Sequence, residues 1–257
     1  MRPAEAVAAP GLRLEVDRLA FEERTLVEDL TLEVPGGRTT CLLGPSGVGK
    51  SSLLRLLAGL LPGARRSASD GLPLSGRIAW MAQADLLLPW LTVEENLLLG
   101  FRLRSAGRSR LAEARERARR LLARVGLAEA AQALPHTLSG GMRQRAALAR
   151  TLVEDRPIVL MDEPFSALDA ITRHRLQDLA AELLAGRTVL LVTHSPLEAL
   201  RLGHELRVMS GQPARLGPPL RPPGTPPRSA DPALLALEAR LLDELAGAPP
   251  APLEEAA

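Results

Sequence analysis

The run Gly44-Pro45-Ser46-Gly47-Val48-Gly49-Lys50-Ser51 follows the spacing G-x-x-x-x-G-K-[ST] of a phosphate-binding loop. Glycines let successive backbone N–H groups turn inward as an anion-binding nest, and a helix opening at the end of the loop adds its positive end. Lys50 would reach the outer phosphates and the Ser51 hydroxyl would bind Mg2+, with Ser52 in the same phosphate-facing stretch. Lys50 is also the only lysine of the chain, where arginine supplies the other basic side chains. Something at this position calls for a compact ammonium on a flexible stem. A glycine-rich turn that binds nothing is the competing reading. The apolar run Thr39–Leu43 before it and the helical pattern after it favour the phosphate site.

Ile158-Val159-Leu160-Met161 is an apolar strand that ends in Asp162 and Glu163. Ligands of open α/β sheets sit at the carboxyl ends of strands. Asp162 there suits the surroundings of Mg2+, and Glu163 could polarise an attacking water. Taken alone, the pair also reads as a strand followed by solvated acids. His194 ends a second apolar run, Thr188–Thr193, and should project to the same edge. His136, His174 and His204 read as structural.

The elements that must position these groups follow from pattern. Leu12-Leu14-Val16 and Leu26–Val34 alternate as two strands, with a turn at Glu22-Glu23-Arg24-Thr25. Thr39–Leu43 reads as a buried strand, Val48–Leu61 as a helix ended by Pro62-Gly63, Arg65–Pro73 as a loop and Arg77–Ala82 as a strand. From Pro89 to Arg150 the pattern is helical, with Ser109–Val125 the strongest segment and Gly126 its stop. A helix over Ala170–Ala185, closed by Gly186, separates the two apolar strands and makes a βαβ unit. The expected fold class is α/β, a parallel core with an antiparallel β subdomain at the N-terminus and a helical lobe inserted near residues 85–150. Residues 1–211 make that body. Prolines after Gly211 predict an extended linker over 212–257, with a short helix from Asp231 to Leu245 carrying Leu234, Leu237, Leu241 and Leu245 on one stripe.

Composition narrows the partners. Hydrophobic residues make up 46% and charged residues 24% of the 257, ordinary for a globular chain. The net charge of +2 and the absence of tyrosine argue against nucleic acid. No apolar run reaches the ~20 residues of a membrane-spanning helix. The N-terminus shows no signal-peptide pattern, and the single cysteine, Cys41, fits a reducing compartment. The expectation is a cytosolic protein that meets a membrane only through a partner.

Leu138-Ser139-Gly140-Gly141-Met142-Arg143-Gln144-Arg145 resembles the signature motif of the ABC ATPase superfamily. With it, Gln83 matches the Q-loop glutamine, Ser166-Ala167-Leu168-Asp169 the D-loop and Thr193-His194 the switch histidine, while Phe21 lies where that family stacks an aromatic ring on adenine. The resemblance spans about residues 12–210. Ser195 departs from it, standing where relatives usually place an acid, and Arg143 stands where many have a glutamine nearby. It implies a P-loop NTPase fold of the ABC cassette type with a RecA-like core. ATP and Mg2+ would be the cofactors, and Glu163, His194 and Gln83 the catalytic residues, with Gln83 also near the metal. Ser139, Gly140, Gly141 and Asp169 would act across a head-to-tail homodimer.

A free-standing cassette of this kind fits an importer motor on the cytoplasmic face of the inner membrane. Its partners would be transmembrane permease subunits and, through them, an extracytoplasmic solute-binding protein. A permease-free regulatory or repair ATPase and a split exporter are the alternatives. The stretch Asp85–Val93 is unusually apolar for a loop. In importers this region receives the permease, with Trp90 a natural anchor; internal packing of the helical lobe is the other reading. Its wording is similar to the nitrate, sulfonate and taurine importer branch, and within it to motors for hydroxymethylpyrimidine.

Overall fold

The computed structural model describes residues 9–22, 24–105 and 107–246. Two antiparallel strands come first, β1 (Leu12–Phe21) and β2 (Arg24–Val34). Their alternation buries Leu12, Leu14, Val16 and Leu19 on one strand and Val27, Leu30, Leu32 and Val34 on the other. The turn between them is tighter than expected, because Arg24 and Thr25 already belong to β2, paired with Phe21 and Ala20. Residues 65–68 differ more from the sequence reading. They form β4 (Arg65–Ala68), the sheet's edge, antiparallel to β1. Only Ala68 of the strand is buried, so no apolar alternation marks it. Cross-strand ion pairs help to hold it, Arg65 to Glu15 and to Asp17, both at 3.0 Å.

The second part of the sheet is parallel. Strands β3 (Thr39–Leu43), β5 (Ile78–Met81), β6 (Ile158–Asp162) and β7 (Thr188–Val192) join β8 (Glu205–Gly211) in the order β8-β3-β7-β6-β5. Strands β6 and β7 are buried throughout, as continuous apolar runs covered on both faces require. A short β9 (Ala214–Leu216) follows β8 and pairs with both β8 and β2, joining the two parts into a nine-stranded sheet.

Helix α1 (Lys50–Ala58) is shorter than the expected Val48–Leu61. It buries Leu53, Leu54, Leu56 and Leu57 in the core that also holds the β1–β2 side chains. Truncating one of these leucines to alanine would cost about 2–5 kcal/mol. The inserted lobe consists of α2 (Val93–Leu103), α3 (Arg108–Arg124) and α4 (Gly140–Val153), with a single 3-10 turn at Pro135–Thr137. Thr92 opens α2 with a capping box: its hydroxyl accepts from Glu95 N while the Glu95 carboxylate accepts from Thr92 N. Two helices follow the core strands, α5 (Ala170–Leu183) after β6 and α6 (Pro196–Leu202) after β7.

The region after Gly211 is not simply an extended linker. Besides β9, Leu220 bridges to Leu206, and α7 (Pro232–Leu245) packs on α6 with Leu234 and Leu241 buried, while Leu237 and Leu245 are only partly covered. Arg228 is buried and donates to the carbonyls of Leu200, Gly203, Pro222, Pro223 and Gly224. Proline content signals loss of regular hydrogen bonding, and here one guanidinium supplies the donors instead.

Candidate functional site

The parallel register brings three strand ends together. Leu42 is registered on Val192, and Val192 on Asp162. The loop after β3, the acids after β6 and the histidine after β7 therefore emerge at one edge. Met81 of β5 is registered on Met161, so Gln83 emerges two residues later beside Glu163. Among the described residues the Gln83 side chain makes no hydrogen bond, and it is exposed.

The loop 44–49 turns on glycines of positive φ, Gly47 and Gly49, as an anion nest would require. Gly49 takes φ 111°, a conformation that side chains resist, and a Cβ on Gly44 would meet Met209 O at 2.4 Å. Pro45, Ser46 and Gly47 are exposed, and nothing lies within 4 Å of the Cβ position of Gly47. That side of the loop faces solvent. Lys50 opens α1, and its ammonium donates to Gly44 O at 2.6 Å and Pro45 O at 2.9 Å. Burial lowers its pKa, opposed by the nearby carboxylates of Glu163 and Asp162.

Ser51 Oγ donates to Asp162 Oδ1 at 3.0 Å. Asp162 is 2% exposed. Burial pushes its carboxyl above the ordinary range, the Ser51 hydrogen bond acts against this, and Glu163 adds to it. A hydroxyl and a desolvated carboxylate side by side are hard oxygen donors that fit Mg2+. No cluster of three or more histidine, cysteine or acidic side chains able to hold a metal occurs among the described residues. A divalent cation here would complete its shell with phosphate oxygens and water.

Glu163 sits at φ 47°, unusual for a residue with a side chain. Its backbone is held there from several sides. Glu163 N donates to Val192 O at 2.9 Å, and Glu163 O accepts from Ser166 Oγ at 3.1 Å and Gln144 Nε2 at 3.3 Å. Such strain costs about 1–3 kcal/mol and persists only where the surroundings over-determine it. Its carboxylate is turned to His194, with Nδ1 3.1 Å from Glu163 Oε2. Gln144 was not singled out from the sequence. Its signal was its place on the first turns of the signature helix, which carried no sign that it would reach the acid strand.

Ser139 caps α4, its hydroxyl accepting from Met142 N at 3.2 Å. Ser139 and Gly140 are exposed and Gly141 partly so. The first turn of α4 lies beside the loop before Asp169, since a Cβ on Gly141 would sit 3.5 Å from Leu168 Cδ2. Asp169 is exposed and caps α5 by accepting from Thr172 N at 3.0 Å. Among the described residues no hydrogen bond joins Ser139, Gly140 or Gly141 to the loop 44–52. The chain thus presents two helix N-termini with free N–H groups, at Lys50 and at Gly140, that are not joined. Ser52, next to Ser51 on α1, is partly covered. Phe21 closes β1, but its side chain lies outside the described residues.

A glycine loop, a serine bonded to a buried aspartate, a strained glutamate and a histidine on the carboxyl edge of a parallel sheet define a nucleoside-triphosphate hydrolase cassette. The profile of the family described as ABC transporter matches residues 27–166. An aliphatic sulfonates import ATP-binding protein, SsuB 2 of Burkholderia cenocepacia, is 42% identical over 250 residues, 95% of this chain and 90% of that protein. A taurine import ATP-binding protein, TauB of Pseudomonas aeruginosa, is 44% identical over 215 residues, 80% of this chain and 81% of that protein. Among solved structures, the ATP-binding cassette MJ0796 in a dimeric post-hydrolysis state with ADP and Pi aligns with a TM-score of 0.72 and 27% identity, covering 83% of this chain and 100% of that one. The chain belongs to the ABC transporter family, and it is an ABC ATPase.

Proposed function

We propose that the chain is the ATP-driven motor subunit of an importer for an aliphatic sulfonate or taurine, working as a head-to-tail homodimer on the cytoplasmic face of the inner membrane. The relatives named for sulfonate and taurine import support the cargo class. The dimer is supported by the absence, among the described residues, of any hydrogen bond from Ser139, Gly140 or Gly141 to the loop 44–52, and by the dimeric state of the similar cassette: each site would be completed by the opposite end of a second copy. The backbone of 44–52 and Lys50 hold the triphosphate, and the partner subunit's Ser139, Gly140 and Gly141 cover its terminal phosphate, with Asp169 at the interface. Ser51, Asp162 and Gln83 would surround Mg2+, which when bound offsets phosphate charge. Glu163 orients water and takes its proton, while His194 steadies Glu163 and faces the transferred group. Phe21 would stack on adenine, as the family resemblance implies.

Permease subunits carry the membrane crossing in this reading, and a solute-binding protein delivers cargo to them from outside. Among the described residues no helix is long and apolar enough to cross a membrane. Trp90, 70% exposed on the same loop as the exposed Leu86, is the proposed permease anchor. The tagged chain should co-sediment with membrane subunits, and Trp90→Ala should loosen that association while sparing ATP binding. A chain that stays wholly in the supernatant would favour the permease-free alternative. Cells lacking this subunit should lose uptake of a labelled alkanesulfonate or taurine. Loss of hydroxymethylpyrimidine uptake alone would move the cargo to the pyrimidine expected from the sequence.

A further inference from the structure

The loop between β5 and α2 displays large apolar side chains, Leu86 and Trp90, yet it is built as a stiff bracket. Asn96 accepts from Leu88 N at 2.8 Å and donates to the carbonyls of Leu88, Leu91 and Thr92. Asp85 Oδ1 accepts from Leu87 N at 3.1 Å and so closes the turn at Leu86, which takes φ 49°. A bulky residue holds that conformation only when its neighbours fix it.

The neighbours that fix it come from the signature helix. Arg150 donates to Asp85 O at 2.6 Å and to Leu86 O at 2.7 Å. Arg143, two turns earlier on the same face of α4, places Nε 3.0 Å from Asp85 Oδ2. The same guanidinium donates through Nη1 to Leu138 O at 2.8 Å, the carbonyl just before Ser139. One arginine therefore touches both the entrance of the apolar loop and the residue that precedes the signature cap.

We infer that Asp85, Arg143 and Arg150 form a clasp that makes the loop 85–92 and the first turns of α4 one lever, so that a displacement at Ser139–Gly141 is delivered to Trp90. Asp85 and Arg143 are positioning residues and touch no phosphate. The ion pair is partly exposed, with side-chain exposures of 30% and 38%, so it adds little to global stability. Its effect lies in direction: it selects which way the loop moves when α4 moves. What sits at the two ends of the lever rests on the motor-subunit reading above; the mechanical link itself does not.

The chain holds two tryptophans, Trp80 and Trp90, so Trp80→Phe leaves Trp90 as the sole emitter. In the full chain carrying Trp80→Phe and Glu163→Gln, addition of Mg2+ and ATP should shift Trp90 emission. Asp85→Asn keeps the oxygen that accepts from Leu87 N and loses the charge facing Arg143. It should reduce the ATP-induced shift about two-fold or more, the low end of coupling between contacting residues, with ATP affinity unchanged. Arg143→Met should do the same, and the double variant should be no worse than either single one. Single variants that respond like the parent, reductions that add as independent effects, or a parent whose Trp90 ignores ATP would each overturn the clasp. A clasp-dependent response in a chain that never co-sediments with a membrane subunit would sink the importer reading and leave the clasp standing.

Discussion

His194 Nδ1 lies 3.1 Å from Glu163 Oε2, although the two residues follow different strands, β7 and β6. The register of the two strands brings ring and carboxylate together at the edge where Lys50 and Ser51 emerge. Glu163→Gln keeps the shape and removes the proton acceptor. Turnover should fall by at least about 100-fold, the usual contribution of a general base, while ATP remains bound and holds two copies together. Phosphate release and gel filtration with ATP check both halves, and normal turnover would remove Glu163 from the base role.

Lys50 spends its ammonium on two carbonyls of its own loop, Gly44 O and Pro45 O. Arriving phosphates would take over a charge-assisted contact of about 1.5–3 kcal/mol. Lys50→Ala should therefore weaken nucleotide affinity about ten- to a hundred-fold in a fluorescent-nucleotide titration. Unchanged affinity would contradict the phosphate site.

Glu198, on α6 four residues after His194, is buried, with Oε2 3.2 Å from Gln177 Nε2. Burial raises its pKa above the ordinary 4.5, against the pull of the Thr193 and Gln177 hydrogen bonds and the charges of Arg173 and His194. The folded chain then binds this proton more tightly than the unfolded chain. Its contribution to stability is complete below pH ~4.5 and is lost as pH rises through the raised folded value. Glu198→Gln removes that slope, so its melting temperature should gain on the parent as pH climbs from about 4.5 through the raised folded value. A pH-independent difference would show that Glu198 does not titrate differently in the fold.

Arg228 ties the segment after β9 to the C-terminal end of α6 through Leu200 O and Gly203 O, each at 2.7 Å. Arg228→Met fills similar volume and leaves five carbonyls without this donor. The loss should be about 2–3 kcal/mol, seen as a melting point lower by about 5–10 °C for a chain of this size. A melting point that did not move would mean the tail is held by α7 alone.

The candidate site was legible in the chain because its chemistry is written in short, contiguous strings. Gly44 to Ser51, Asp162-Glu163 and Leu138 to Gly141 each carry their spacing locally, and the apolar runs of β3, β6 and β7 announce buried parallel strands. The edge strand β4 was not legible, because charged pairing across β1 replaces apolar alternation there. The packed tail was hidden for a related reason: proline density says only that helix and sheet are interrupted, and Arg228 looks like any other arginine until Leu200 and Gly203 are beside it.

By itself, the sequence named the groups proposed to meet phosphate, metal and water, since each is carried in a short string of its own, the loop and its lysine in one and the strand-end acids in another. Only the tertiary structure decided how they face one another. The turn of Glu163 towards His194, the reach of Gln144 to Glu163 O and the grip of Arg143 and Arg150 on residues 85–86 all join segments distant in sequence. Such contacts depend on strand register and helix packing, which are settled by burying the whole core at once.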